Sequence, residues 1–378
     1  MNTRQLFIFR HFKILLSTYN GSLPFHHFFK KYCKLNPVLG SKDRRILREL
    51  IYSVYRLGPG WKEKSMEELF LTAHNSKEDD LMALFYQDFE QNNEQRDFVY
   101  PFVDHLPLEL QIPEYYQSLC QQPLVWVRIS QTNRLSFIEK YTKSIVKEEK
   151  INEIFSAFGL INNTVIDSDL FVIEVQDMTS QKVCSTFENT DNLKVWDCCS
   201  GAGGKSLFVA ENYRKSKLYA SDIRENILDN LKLRFKKNRL LVPKIALVDL
   251  NKKPEKINFS GEIIGRGFFD VIVADVPCSG SGTWAGDPEN FTYFDVHKID
   301  ELVARQLNIV KGALRFLKHG GTLYYVTCSV FYKENFGVIN TLESLGLVKI
   351  ISAEMIYGFS EGADNLFVAK LCTAKLSN

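Results

Sequence analysis

Two cysteines, Cys278 and Cys328, stand fifty residues apart in matching company. One sits in Pro277-Cys278-Ser279-Gly280, the other in Thr327-Cys328-Ser329, and polar, turn-forming residues flank both. Each follows a run that reads as a β-strand, Asp270 to Asp275 and Gly321 to Val326, with a helical stretch at 302–316 between them. Strand, crossover helix and strand make the unit of a parallel sheet. Such sheets take ligands beyond the carboxyl ends of their strands, so Asp275, Cys278 and Cys328 are expected at one rim. A thiolate there is a nucleophile able to attack an unreactive carbon. A free thiol titrates near ~8.5 and is only partly ionised at neutral pH, so the site must favour the thiolate. Cys33, Cys120, Cys184 and Cys372 read instead as small buried hydrophobes, and Cys198 and Cys199 as parts of a turn and its packing.

That turn is the second candidate. The strand Lys194 to Asp197 passes through Cys198, Cys199, Ser200, Gly201, Ala202, Gly203, Gly204, Lys205 and Ser206 into a helix. Glycines clustered this way permit backbone angles that other residues resist, and let a ligand approach the main chain. The N–H groups at the helix start favour a carboxylate or phosphate. A phosphate-cradling G-x-x-x-x-G-K-[ST] loop fits at Gly204-Lys205-Ser206, but its first glycine would fall at Cys199; a dinucleotide G-x-G-x-x-G fails at Ser206. The third option is S-adenosylmethionine, with its methionine part against the turn and its ribose hydroxyls on an acid ending the second strand. Asp222 lies about twenty residues on, where that acid belongs. Asp249 ends the third strand and Asp275 the fourth. Each alone could be a helix N-cap, most readily Asp249, but charged groups are rarely buried without a partner, and the set favours the cofactor.

Together the two features define a chemistry. A thiolate adding to carbon 6 of a pyrimidine turns the ring into an enamine, whose carbon 5 can then take a methyl group. Asp275 would hydrogen-bond the ring nitrogen and amine, and the second thiol would assist release by elimination.

The elements that position these residues follow from periodicity. Strands are expected at 194–197, 217–221, 245–248, 270–274, 321–326, 347–351 and 366–370, and helices at 204–213, 225–238 and 302–316. This is a doubly wound α/β pattern, whose last two strands could form an antiparallel edge hairpin. Upstream, amphipathic helices are expected at 3–20, at 41–57 with Ser41 as N-cap and Gly58-Pro59-Gly60 as stop, and at 65–90. A strand at 124–129, a helix at 134–146 and β-like runs over 151–175 ending in Phe171 to Val175 suggest a small α+β module. The expected organisation is a helical domain over 1–105, a linker from Pro101 to Pro113 leading into an α+β module over 106–175, and the α/β domain over 176–378.

Composition bounds the rest. Of the 378 residues, 45% are apolar and 24% charged, as in an ordinary soluble globular protein. The eight cysteines include no C-x-x-C pair and the seven histidines no metal-like spacing, so no metal is expected. Arg4, Arg10 and Lys13 break the N-terminal apolar run and no cleavage site follows, so no export signal is read. No uncharged stretch approaches the ~18 residues of a membrane span. The expectation is a cytoplasmic protein with reduced thiols and no membrane partner, for which nothing demands more than a monomer. The net charge of +2 hides segregation: residues 1–56 carry eleven Lys/Arg against two acids, and residues 63–104 eleven acids against three bases. Basic faces, here and from Arg214 to Lys244, suit a phosphate backbone, although they also suit solvated helices.

Residues 176–370 resemble the RsmB/Nop/Sun family of RNA cytosine-5 methyltransferases. The matching motifs are Gln176 to Gln181, Asp197 to Lys205, Ser221-Asp222-Ile223-Arg224, Asp275 to Thr283, Gln306, Thr327-Cys328-Ser329 and Glu334-Asn335. The resemblance implies a Rossmann-like class I S-adenosylmethionine-dependent fold with a mostly parallel seven-stranded sheet. It implies a donor held by Cys199, Ser200, Gly201, Ala202, Gly203, Gly204, Lys205, Asp222, Asp249 and Asp275. It makes Cys328 the nucleophile and Cys278 the residue that assists release. Leu39 to Arg45 with its following helix resembles the RNA-binding extension of bacterial members acting on 16S rRNA, and residues 120–175 resemble the family's small RRM-like module. The chain departs from the pattern at Ala202, where the family usually carries proline, and at Ala285-Gly286, where it commonly has a basic pair. Other readings are a tRNA or other RNA substrate, an RNA-binding ribosome assembly factor with a vestigial site, and a small-molecule O- or N-methyltransferase.

Overall fold

The structure, a computed structural model, describes residues 2–56, 61, 62, 64–75, 102–162, 164–167 and 173–373. The stop at Gly58-Pro59-Gly60, the helical pattern beyond residue 75, much of the acidic run and the start of the strand at Phe171 lie outside these residues. The chain divides into two compact units: residues 1–123 with 283–296, and residues 124–282 with 297–378. The expected domain limits at 105 and 175 both fall inside a unit.

The first unit is helical. Helix α1 (Thr3–Thr18) starts at an Asn2 capping box closed by Gln5 and buries Ile8, Phe9, Phe12, Leu15 and Leu16, an i, i+3, i+4 stripe. With α2 (Phe25–Leu35) and α3 (Ser41–Arg56), it builds a core containing Leu47, Ile51 and Tyr55. Helices α4 (Met66–Asn75) and α5 (Pro113–Cys120) follow. In the stretch expected as a linker, Phe102, Leu106 and Leu110 are buried, as are Tyr115 and Leu119 of α5. Residues 283–296 include a short helix, Pro288–Tyr293, whose Phe291 and neighbouring Trp284 ring-pack with Phe102.

The second unit opens with a four-stranded antiparallel sheet, order β2-β3-β1-β4, made of β1 (Val125–Ser130), β2 (Ile145–Lys150), β3 (Phe155–Leu160) and β4 (Glu174–Val175), with α6 (Arg134–Tyr141) between β1 and β2. The helix expected to reach 146 thus ends at Tyr141. Ile145 to Lys150 is an edge strand, whose charged residues on both faces obscure its two-residue period.

Helix α7 (Met178–Ser185), capped by Asp177, leads into a seven-stranded sheet. Its elements in order are β5 (Lys194–Asp197), α8 (Gly204–Asn212), β6 (Lys217–Asp222), α9 (Glu225–Lys237), β7 (Lys244–Leu247), then a small hairpin of β8 (Ile257–Phe259) and β9 (Glu262–Ile264). There follow β10 (Phe269–Asp275), α10 (Lys298–Leu314), β11 (Leu317–Thr327), α11 (Phe336–Ser344), β12 (Val348–Ile356) and β13 (Leu366–Thr373). Strand order is β12-β13-β11-β10-β5-β6-β7. Strands β5, β6, β7, β10 and β11 run parallel, and β13 lies antiparallel to both β11 and β12, the expected edge hairpin. Trp196, Tyr219, Phe259, Phe269 and Phe316 fill one face of the sheet, while Phe187, Phe208, Tyr324 and Val368 fill the other. The path steps outward from β5 through β6 to β7, then resumes at β10 on the other side. A ligand cleft is expected at that reversal, beyond β5 and β10.

Candidate active site

Four strands deliver their last residues to the rim at the reversal: Asp197 from β5, Asp222 from β6, Asp275 from β10 and Thr327 from β11. The loops just past β10 and β11 bring the Cys278 and Cys328 sulfurs to 3.4 Å of each other, both partly exposed. The contact with Cys328, then burial and the Glu334 carboxylate, push the Cys278 thiol well above the usual range.

A buried carboxylate ties the two loops together. Glu334 Oε1 accepts from the Ser279 N–H at 2.9 Å and from Gln306 Nε2 at 2.9 Å, while Oε2 accepts from Ser329 Oγ at 2.6 Å. Ser279 and Ser329 are the residues next after the two thiols, so one side chain sets the spacing of both. Gln306, on α10, also donates to the Pro277 carbonyl, and the Tyr325 hydroxyl donates to the Glu334 carbonyl at 2.6 Å. Asn335 donates to the Ser329 carbonyl at 2.8 Å and accepts from Thr327. Gly282 closes the arrangement: its N–H donates to the Cys328 carbonyl, and a Cβ there would lie 2.0 Å from the Asn365 carbonyl oxygen. Gln306, Glu334 and Asn335 stood in the sequence motifs without a role. A hydroxyl-rich pair of cysteine loops with one acid six residues downstream was the available signal, but its aim depends on the sheet.

The glycine turn lies at the neighbouring strand end. Gly201 and Gly203 adopt φ of +51° and +85°, left-handed angles that suit glycine. The Ser200 N–H donates to the Ser221 carbonyl, and the Gly201 N–H donates to Asp222 Oδ2 at 3.0 Å. A Cβ on Gly201 would meet nothing within 4 Å, so open space faces the turn there. Ala202 and Gly204 complete it, and Cys199 is partly buried beside Cys198, whose thiol is raised by its hydrogen bond to Cys199 and then by burial.

The charged residues have distinct surroundings. Lys205 turns inward to Asp275, Nζ to Oδ2 2.7 Å, instead of standing at the helix start as in a phosphate loop. Burial opposes its charge, but Asp275, the Cys184 thiol and Asp197 outweigh that and hold it above the ordinary lysine range. Burial also opposes the Asp222 charge, yet the Arg224 guanidinium and N–H, with the Gly201 N–H, keep it below the usual carboxylate range. Asp249 accepts from the Asn251 N–H and side chain, the local cap that competed with a ligand role. Asp197, which is not among the expected site residues, is the outlier. It is buried, Ser206 Oγ donates to Oδ2 at 2.6 Å, and Oδ1 has no hydrogen-bond partner among the described residues. Burial, reinforced by Asp275 against the Ser206 hydrogen bond, pushes it up to about 7. Among the described residues, no group of three or more His, Cys, Asp or Glu side chains is placed to hold a metal ion.

The family described as 16S rRNA methyltransferase RsmB/F matches residues 184–371. Residues 184–371, which hold the seven-stranded sheet, thus carry a likeness to the RsmB/F methyltransferases. Ribosomal RNA small subunit methyltransferase B of Yersinia pseudotuberculosis serotype O:1b is 27% identical over 221 residues, 57% of this chain and 50% of that protein. The chain therefore spans about half the length of the curated relatives it matches. Among solved structures, PH0851 has a TM-score of 0.66 at 17% identity, covering 92% of this chain and 94% of its own. A methyltransferase homolog protein from Pyrococcus horikoshii has a TM-score of 0.58 at 21% identity, covering 72% of this chain and 94% of its own. These likenesses establish the fold, and the RsmB/F-like domain has the sheet order and antiparallel β13 described above.

Proposed function

We propose that this chain transfers a methyl group from S-adenosylmethionine to carbon 5 of a cytosine in RNA, with small-subunit (16S) ribosomal RNA as the substrate. The observation that carries the reading is the pair of partly exposed sulfurs 3.4 Å apart at the sheet reversal, beside a glycine turn that faces open space.

The residues fit the donor. Gly201 leaves room for it, the turn from Cys199 to Lys205 would lie along its methionine part, Asp222 would receive its ribose hydroxyls, and Asp249 and Asp275 would be further contacts. When bound, S-adenosylmethionine supplies an electrophilic methyl group. Cys328 is the nucleophile: its sulfur bonds to carbon 6 of the base, and the ring electrons move to carbon 5. Asp275, steadied by Lys205, accepts from the amine of the base and shares a proton with the ring nitrogen, which has no N–H of its own. Once carbon 5 carries the methyl group, its proton passes to solvent, the electrons of that C–H bond restore the carbon 5–carbon 6 double bond, and the Cys328 sulfur leaves as a thiolate, with Cys278 assisting that elimination. RNA binding is supported by the exposed cations of the first unit, among them Arg10, Lys13, Lys30, Lys31, Arg45 and Arg48. Such an array holds a phosphate backbone with strong salt dependence. No described helix is long and apolar enough to cross a membrane, and the proposed setting is the cytoplasm, with the chain acting as a monomer.

Replacing Cys328 with Ala should abolish methylation while donor binding, measured by calorimetry, persists. Replacing Cys278 with Ala should accumulate a covalent protein–RNA adduct visible on denaturing gels. Full turnover by the Cys278 variant without an adduct would remove its release role. Unchanged bisulfite profiles of total RNA from cells with and without the gene would overturn the cytosine-5 assignment.

A further inference from the structure

A turn holding Gly201, Gly203 and Gly204 loses much conformational entropy on ordering, so contacts from elsewhere must keep its shape. Its own N–H groups are held by Ser221, Asp222 and Ser200, and these bonds do not engage the Ala202 carbonyl. That carbonyl accepts from Arg234 Nη1 at 2.8 Å. The other guanidinium nitrogen, Nη2, donates to Glu174 Oε2 at 2.6 Å, and Asn238 donates to Glu174 Oε1. Glu174 is 6% exposed. It belongs to β4 and pairs in register with Arg128 of β1, so the chain of bonds starts in the small sheet and ends on the turn.

We infer that Glu174 and Arg234 are positioning residues that brace the glycine turn in the shape its ligand requires; the ligand half of this rests on the reading of the turn as the S-adenosylmethionine site. Arg234 is suited to the task because its planar fork holds two acceptors in fixed directions. Charge-assisted bonds of this kind are shorter and stronger than neutral ones. Leu231, three residues earlier on the same face of α9, supports the turn sterically: a Cβ on Gly203 would lie 2.8 Å from its Cγ. A second prop runs in parallel. The Arg128 guanidinium sits 5.2 Å and 5.3 Å from the Phe155 and Phe208 ring centres and bonds Gln176 and Glu211. Gln176 Nε2 in turn lies 3.5 Å from where a Cβ on Gly204 would be. The small sheet is thus a support for the turn as well as a module in its own right.

The test needs no turnover. Amide hydrogen exchange is followed on the full chain without cofactor, for the parent, Arg234→Met, Arg234→Lys and Glu174→Gln, together with calorimetric titration of S-adenosylmethionine. Amides of 200–206 should exchange roughly tenfold faster in Arg234→Met, those of β11 should be unchanged, and Kd should rise roughly tenfold, about 1.4 kcal/mol. Arg234→Lys, whose single nitrogen cannot span both acceptors, should fall between. Turn amides as protected as in the parent, or faster exchange spread evenly over the sheet, would overturn the brace. A parent protein that binds no S-adenosylmethionine would sink the cofactor reading instead, and exchange would still decide the brace. Should Arg234→Met fail to fold, Glu174→Gln decides by the same two readouts.

Discussion

Truncation of Glu334 to Ala is the sharpest probe of how the thiol pair is held. The substitution removes the acceptor for the Ser279 N–H, Gln306 Nε2 and Ser329 Oγ, all at 2.6–2.9 Å around a fully buried carboxylate. Ser329 can turn its hydroxyl to Ser279 or Ser281, whose oxygens lie 3.1 Å and 3.2 Å away, so its loss is small. Gln306 keeps its bond to the Pro277 carbonyl. The Ser279 N–H and the second Gln306 proton are left buried and unpaired, at about 1–3 kcal/mol each. With the cavity left by the side chain, the expected loss is about 4 kcal/mol. At 2–4 °C per kcal/mol for a domain of this size, melting should fall by roughly 8–16 °C. Glu334→Gln keeps an oxygen for Ser279 and Gln306 and can donate to Ser329 Oγ, so it should lose only about 1–2 kcal/mol. Scanning calorimetry gives the stability term. Adduct formation with RNA in a Cys278→Ala background reports whether the Cys328 loop still presents its sulfur, and it should slow more than donor binding weakens. If Glu334→Ala melts within 1 °C of the parent and forms adduct at the parental rate, the carboxylate bridge is not what spaces the thiols.

Two further perturbations follow from the same geometry. Gly282→Ala places a methyl 2.0 Å from the Asn365 carbonyl oxygen and 3.0 Å from that of Cys328, so the backbone must part there; adduct formation should fall at least tenfold, read on denaturing gels, with donor affinity within about twofold. Asp197, pushed up to about 7 mainly by burial, binds its proton more tightly when folded than when unfolded. Its contribution is full below the ordinary carboxylate range and is lost as pH rises through about 7, on the order of 4 kcal/mol in all. Asp197→Asn should therefore melt higher than the parent at pH 8 and show a flatter profile between pH 4 and 7. A parent whose stability rises steadily across that window at the same rate as the variant would contradict the buried neutral carboxyl.

What the sequence by itself determined is the alternation of elements and the strand ends that hold the candidate site residues. Period-two runs closed by turn residues placed β5, β6, β10 and β11, and with them Asp222, Asp275, Cys278 and Cys328, because a parallel sheet leaves its carboxyl ends on one rim. Local patterns were weaker where charge hid the period, as in β2, or where residues expected as a linker found a core, as at Leu106 and Leu110. Tertiary structure alone decided the rest. That the sulfurs meet at 3.4 Å, that Glu334 spans their loops, that Lys205 turns inward to Asp275 and that Arg234 reaches the Ala202 carbonyl all join residues 32 to 70 positions apart or lying on separate loops. Sequence spacing does not set the distances within such pairs. Their distances are set by how helices pack across the sheet, through side-chain volumes and buried hydrogen bonds that are satisfied only when the whole domain closes.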